Sequence, residues 1–358
     1  MATTTTGTTG TTAPGAATES FFALTPDRVL DAVEFGGRRA TGYALALNSL
    51  ENRVYEVELE GEDRDGARAE RVVAKFYRPG RWSRAALLEE HAFLAELAEA
   101  ELPVVPPLDL GGGETLGTLP VQAEGGEPIY YAVFPRARGR APEELDDQQL
   151  GQLGRLVGRL HNIGARRPAP ARPVLTPESY GQASIELLAQ GPWIPGDMRD
   201  RYVAVAGALL ARCEATWTTA GLGGAVGEPI RLHGDCHLGN LLWEPRTGPW
   251  FLDFDDFLSG PPVQDLWLLA PGHDAEADRQ RELIAAGYET MRAFDRRSLG
   301  LVETLRALRI LRYAAWIARR YEDPAFQRAF PDFTSGTFWH REIQALGEQL
   351  ARLEPVLW

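Results

Sequence analysis

The chain has 358 residues, a formal net charge of −13, one lysine among its 37 basic residues, and two cysteines. Its length exceeds one ordinary hydrophobic core, so two lobes are expected. The acidic balance argues against a general nucleic-acid-backbone binder, Cys213 and Cys236 offer no disulfide framework, and no apolar run reaches the ~20 residues of a membrane helix.

Residues 1–18 are mostly Thr, Gly and Ala and predict a disordered tail. No basic segment followed by an apolar stretch precedes the folded part, which gives a cytoplasmic expectation. Thr25-Pro26-Asp27 is a helix start: a cap, then Pro at the first helical position, then an acid in the first turn. Residues 41–48, 52–59, 70–77, 117–123 and 128–135 alternate or run apolar between turn residues and predict five strands. A helix over 82–99 carries Leu87, Leu94 and Leu97 on one face. After Pro135 helices dominate, at 143–162, 198–218, 262–270, 275–295, 298–321 and 337–353, with a β-rich island near 229–254. The expected fold is therefore α+β and bilobal. A five-stranded antiparallel sheet with one helix makes an N-lobe over 19–135, and a larger, mainly helical C-lobe spans 136–358.

The single lysine, Lys75, stands in the apolar strand Val72-Val73-Ala74-Lys75-Phe76. Arginine has taken every other basic position, although the two cations differ where a compact ammonium must act as a point charge. A lysine in a buried strand needs a partner for its charge. The plain alternative is a lysine whose stem packs while its head reaches water.

The β island contains His233-Gly234-Asp235-Cys236-His237-Leu238-Gly239-Asn240, and an apolar strand leads from Trp250 to Asp253. Asp and Asn five residues apart, followed by an Asp at a strand end, suit phosphoryl transfer. Asp235 accepts the proton of the attacking hydroxyl, while Asn240 and Asp253 offer hard oxygens to Mg²⁺. Lys75 then holds the nucleotide phosphates and is itself held by a carboxylate of the 82–99 helix. Glu90, one turn before Leu94 on the core-facing stripe, is preferred to Glu89. His233, Asp235 and His237 also allow a transition-metal triplet on one strand face, which leaves Asn240 and Asp253 without a role.

These pieces resemble the protein-kinase-like fold in its aminoglycoside phosphotransferase and choline kinase branch. ALNSLENRVYEV at 45–56, VVAKFYRPGRW at 72–82, GRLHNIG at 158–164, RLHGDCHLGNLLW at 231–243, FLDFDD at 251–256 and GPPVQDLWLL at 260–269 together resemble the bacterial stress response kinase A family of Ser/Thr protein kinases. The resemblance covers about 21–345. It implies a cytoplasmic, monomeric, ATP- and Mg²⁺-dependent kinase of the stress response, acting on Ser/Thr of a protein, itself included. It further implies Asp235 and Asp253 as catalytic residues and Asn240 and Asp253 as metal ligands. Ser49, Lys75, Glu90, Phe134, Arg136 and Asn240 then bind the nucleotide, with adenine on the Phe134 C=O and the Arg136 N–H because Pro135 has no N–H to give. The turn Asn48-Ser49-Leu50-Glu51-Asn52 lacks the usual glycines, so its backbone N–H groups are expected to meet the phosphates.

His161 is read as a satisfied core histidine, and Asp265 as a brace on the catalytic-loop backbone. Asp253 to Asp265 spans only twelve positions, too few for a phosphorylatable activation segment. That shortness suits a kinase of aminoglycosides or amino alcohols equally well, and a nucleotide-binding pseudokinase is a third reading. The intact Lys75, Asp235, Asn240 and Asp253 argue against the last.

Overall fold

The computed structural model describes residues 21, 24–62, 69–120, 127–222, 224 and 226–353. The expected tail at 1–18 and the end of the expected fourth strand lie outside them. The chain divides into two compact units. One comprises residues 1–85, 107–136 and 322–325, and the other 86–106, 137–321 and 326–358.

The first unit is built on one antiparallel sheet of β1 (Ala40–Leu47), β2 (Arg53–Glu62), β3 (Ala69–Phe76), β4 (Gly117–Leu119) and β5 (Ile129–Pro135), in the order β1-β2-β3-β5-β4. Alternation sends Val72, Ala74 and Phe76 to one face, where they join Val57, Leu59 and Val133 in a core. Helix α1 (Pro26–Asp31) closes that core with Val29, its first turn capped by the Thr25 hydroxyl. Lys75 points to the opposite face, in register with Val54 on one side and Ala132 on the other.

The second unit is mainly helical. It begins with α2 (Arg84–Glu99), nearly all of which belongs here although the sequence assigns it to the N-lobe. The reason is local packing. Phe93 lies against Phe254 and Phe257, at centroid distances of 6.0 and 5.5 Å. The Glu96 carboxylate is held by Arg231 at 2.8 Å and by Arg167. Burial alone would raise that carboxyl, but the two guanidinium groups outweigh it and hold it below the ordinary carboxylate range.

Further on run α3 (Asp147–Gly164), α4 (Ala183–Gln190), α5 (Gly196–Leu222), α6 (Val263–Leu269), α7 (Ala275–Glu289), α8 (Val302–Ala318), α9 (Pro324–Ala329) and α10 (Gly336–Leu353). The core is formed chiefly by α5, α8 and α10, through residues such as Tyr202, Leu209, Leu308, Leu311, Trp339 and Leu346. Helices α3 and α7 pack backbone to backbone: a Cβ on Gly154 would lie 2.0 Å from the Ile284 carbonyl oxygen. The segment Pro177–Gln182, a wide-turn helix, and α4 are elements that Pro177, Gly181 and Gly191 conceal in the sequence.

The β island is two short antiparallel ladders. β6 (Ile230–Leu232) pairs with β9 (Leu258–Gly260), and β7 (Leu241–Glu244) pairs with β8 (Gly248–Phe251). Both serve to fix the loops described next.

Candidate active site

The loop His233–Asn240 leaves β6 and enters β7, and Asp253 follows two residues after β8. The β7–β8 register sets Leu241 opposite Phe251, so Asn240 and Asp253 emerge at the same end of the ladder. Leu252 N–H donates to the Asn240 carbonyl at 2.9 Å and locks that end. A two-strand ladder thus brings together residues thirteen positions apart in sequence.

The loop backbone is held from below by one carboxylate. Asp265, on α6 and 0% exposed, accepts from His233 N–H at 2.8 Å on Oδ2 and from Gly234 N–H at 2.9 Å on Oδ1. His161 donates to the same Oδ2 from Nε2 at 3.0 Å, while its Nδ1 accepts from the Tyr288 hydroxyl at 3.0 Å. His161 is therefore a working member of the brace. Gln264 donates to the Gly234 carbonyl at 3.1 Å. Gly234 has φ of +85°, and a Cβ there would sit 2.4 Å from the Asp256 carbonyl oxygen, so only glycine fits. His233 donates from Nε2 to the Leu252 carbonyl at 2.8 Å and packs in a tilted arrangement against Phe254, 4.4 Å between centroids. It joins the two loops and is buried, which removes it from any solvent-facing metal triplet.

Asp235 is the one carboxylate of the loop that remains partly open. Asn240 Nδ2 donates to its carbonyl at 3.0 Å and to its Oδ2 at 3.3 Å. His237 Nε2 lies 3.3 Å from Oδ2, and its Nδ1 accepts from Gly239 N–H. Arg309, on α8, donates to Oδ1 at 2.7 Å. Burial would raise the Asp235 carboxyl, but His237 and Arg309 outweigh it and hold it well below the ordinary carboxylate range. Asp235 is thus ionised and ready to accept a hydrogen bond at any physiological pH.

With Asn240 Nδ2 directed at Asp235, its Oδ1 is left as the outward acceptor. Asp253 sits in the left-handed region, φ 58° and ψ 64°, a conformation that costs a non-glycine residue about 1–3 kcal/mol and clusters at working sites. An amide oxygen and a carboxylate in one loop pair fit Mg²⁺, which takes few protein oxygens and completes its shell with phosphates and water. Among the described residues no group of three or more His, Cys, Asp or Glu could hold a metal alone. The turn after Asp253 is held by Arg172, which donates to the carbonyls of Phe254, Asp255 and Phe257 at 3.2, 2.6 and 3.0 Å.

The other expected residues lie in the first unit or on α2. Lys75 is 8% exposed, with its ammonium 5.2 Å from the Tyr77 ring centroid. In the Asn48–Asn52 turn, Ser49 Oγ accepts from Asn52 N–H at 3.2 Å. Arg78 donates to the carbonyls of Glu51 and Leu50 at 3.0 and 3.1 Å, and its N–H to Asn52 Oδ1 at 3.1 Å. A trans peptide points N–H opposite to C=O, so the Glu51 N–H faces away from Arg78. Asp323 completes the Arg78 anchor at 2.8 Å. Phe134 pairs with Val73 at the end of the sheet, and the Arg136 side chain is drawn to Glu56 at 2.5 Å. On α2, Glu90 is buried, whereas Glu89 accepts from Ala171 N–H at 3.1 Å.

Sequence reasoning missed Arg78, Arg172 and Arg309. Each is one arginine among many, and nothing local marks it; only its partners do.

A braced loop carrying an ionised aspartate beside an amide and a second carboxylate, on an α+β frame, suits a kinase-like phosphotransferase. Comparison with known proteins agrees. The profile of the phosphotransferase enzyme family matches residues 44–302. Stress response kinase A of Salmonella paratyphi A is 38% identical over 339 residues, 94% of this chain and 96% of the relative. A Salmonella typhimurium relative with the same identity and coverage is named serine/threonine protein kinase RdoA. The solved amicoumacin kinase hAmiN superposes with a TM-score of 0.68 at 19% identity, over 95% of this chain and 98% of that one, a likeness of fold. The chain belongs to the phosphotransferase enzyme family, within the stress response kinase A group. Among the described residues, no helix is long and apolar enough to cross a membrane.

Proposed function

We propose that this chain is a cytoplasmic, ATP- and Mg²⁺-dependent kinase that phosphorylates Ser/Thr hydroxyls of proteins in a stress response. The observation that carries the reading is Asp235, ionised and partly open, held between Asn240, His237 and Arg309. The names of the relatives support the protein acceptor.

In this reading the acceptor hydroxyl donates its hydrogen bond to Asp235. Its oxygen attacks the γ-phosphorus, the bond from that phosphorus to the β–γ bridging oxygen breaks, and the proton passes to Asp235 as ADP forms. Asp235 is a weak base, so its work is to aim the hydroxyl and take the proton late. Asn240 Oδ1 and Asp253 hold the metal, which when bound neutralises charge on the phosphate oxygens. Lys75 supplies a compact cation for the phosphates, and the Glu51 N–H and Ser49 support them from the turn. Glu90 is the candidate partner for Lys75, because Glu89 is already engaged on Ala171. Phe134 and Arg136 remain the proposed adenine contacts.

The test is a phosphoacceptor panel with labelled ATP: proteins, the chain itself, choline, ethanolamine and kanamycin. Transfer to protein Ser/Thr is expected, and transfer only to the small amines refutes the reading. In the same assay Asp235→Ala should lose turnover by about 10³-fold or more while Mg·ATP affinity changes little, as expected of a residue acting on the acceptor proton.

A further inference from the structure

The residue that reaches Asp235 from outside its own loop begins a track. Arg309 is 47% exposed on its side chain and 2.7 Å from the aspartate. At i+3 and i+4 on the same face of α8 stand Arg312 and Tyr313, and at i+7 Trp316. The opposite face, with Ala307, Leu311 and Ala314, is in the core. Arg312 lies 4.0 Å over the Tyr180 ring, and Tyr313, 49% exposed, stacks on Trp316 at 5.7 Å and 20°.

These groups form one neighbourhood. The Tyr180 hydroxyl, raised by burial, feels Arg312 and Arg309 together with Asp256 and Asp235. Tyr313 feels Arg309 at one end and Glu342 at the other. The carboxylates facing the track are thus Asp235, already paired with Arg309, then Asp256 and Glu342. From Arg309 to Trp316 the helix rises about 10 Å, the span of about three residues of extended chain.

Resting on the acceptor role of Asp235 given above, we propose that the Arg309–Arg312–Tyr313 face of α8 binds the acceptor and selects one with negative charge one to four positions from the target hydroxyl, an acidic peptide segment. A hydroxyl presented to Asp235 lies within a few ångströms of the Arg309 guanidinium. An acceptor bearing ammonium groups there is repelled, and one bearing carboxylates gains an ion pair in a partly dry setting. Tyr313 adds an amphipathic platform for the chain beside it. The net charge of −13 makes a cationic stretch beside the base a local feature against the field of the whole molecule.

The experiment compares kcat/KM for Ser peptides flanked by Asp/Glu, by Ala or by Lys/Arg, and for glycerate against choline, at low and high salt. Acidic peptides are expected to exceed basic ones by about tenfold, the worth of one or two partly exposed ion pairs, with the ratio shrinking in salt. Arg312→Gln should reduce the ratio to about half or less of its wild-type value and Arg312→Glu should invert it, whereas Arg297→Glu, a surface change at the Asp295 pair, should not. Equal or better use of basic peptides, or a ratio untouched by Arg312→Glu, overturns the inference. If no peptide accepts phosphate but glycerate outdoes choline in an Arg312-dependent way, the protein-acceptor reading fails and the anionic track stands. If nothing is phosphorylated, anisotropy of labelled acidic and basic peptides decides, and equal binding overturns it.

Discussion

Replacing Asp265 by Asn tests whether one buried carboxylate sets the geometry of the whole His233–Asn240 loop. The change keeps shape and removes one acceptor. Oδ2 serves two donors, His233 N–H and His161 Nε2–H, and Oδ1 serves only Gly234 N–H. The amide will therefore keep its oxygen at the Oδ2 position and turn its NH₂ toward Gly234. That leaves one buried N–H facing another donor, a cost of about 1–3 kcal/mol, and the two surviving bonds lose their charge assistance at about 0.5–1 kcal/mol each. The sum is about 2–5 kcal/mol. At about 2–3 °C per kcal/mol, the melting temperature should fall by roughly 4–15 °C. Gly234 immediately precedes Asp235, and releasing its N–H lets the loop relax by a fraction of an ångström to an ångström, so turnover should fall about 10²-fold. The assays are thermal melting and single-turnover phosphoryl transfer, with nucleotide affinity measured alongside and expected to change less than turnover. A variant that melts and turns over like the parent refutes the brace.

Two further outcomes follow from other parts of the molecule. Lys75→Arg keeps the charge but not the compact ammonium, and at a position only 8% exposed the larger guanidinium should lower kcat/KM by about 10²-fold; intact transfer would mean that the lone lysine is an accident of composition. Glu342 is pushed up to about 7 by burial. Its folded value is raised above the unfolded one, so the contribution of this group to stability is fully present below about pH 4.5 and is lost as pH rises through about 7. Glu342→Gln should therefore be more stable than the parent at pH 8, by about 1–2 kcal/mol once partial exposure is discounted, and should lose that advantage by pH 5. Denaturant melts at the two pH values check it, and an equal difference at both sinks the assignment.

Much of the site is written locally. The loop from His233 to Asn240 and the strand that ends at Asp253 are short-range devices, and a hairpin ladder needs only alternation and a turn to align them. Strands β2, β3 and β5 of the first unit are legible for the same reason, since period-two patterning survives in any context with one buried face, whereas β1 is exposed along nearly its whole length. Composition, an apolar strand context and the downstream motifs together single out Lys75. The helix at 177–190 was not, because its proline and glycines carry the punctuation of a loop while its burial comes from Leu210 and Leu308 far along the chain.

By itself the sequence determined the kind of chemistry: an Asp, an Asn and a second Asp at spacings that suit phosphoryl transfer, with a lysine on a strand. Tertiary structure alone decided how those groups are tuned. Arg309 comes to Asp235 across 74 positions, Arg172 reaches the Phe254–Phe257 carbonyls across 82 to 85, and Asp265 meets the loop across about thirty. It also decided that α2 belongs to the second unit, through Phe93 and Glu96. The physical reason is common to all. Motif spacing is set by backbone geometry within one or two elements, whereas the charge and hydrogen-bond environment of a buried group is set by whichever long side chains the packed core brings to it.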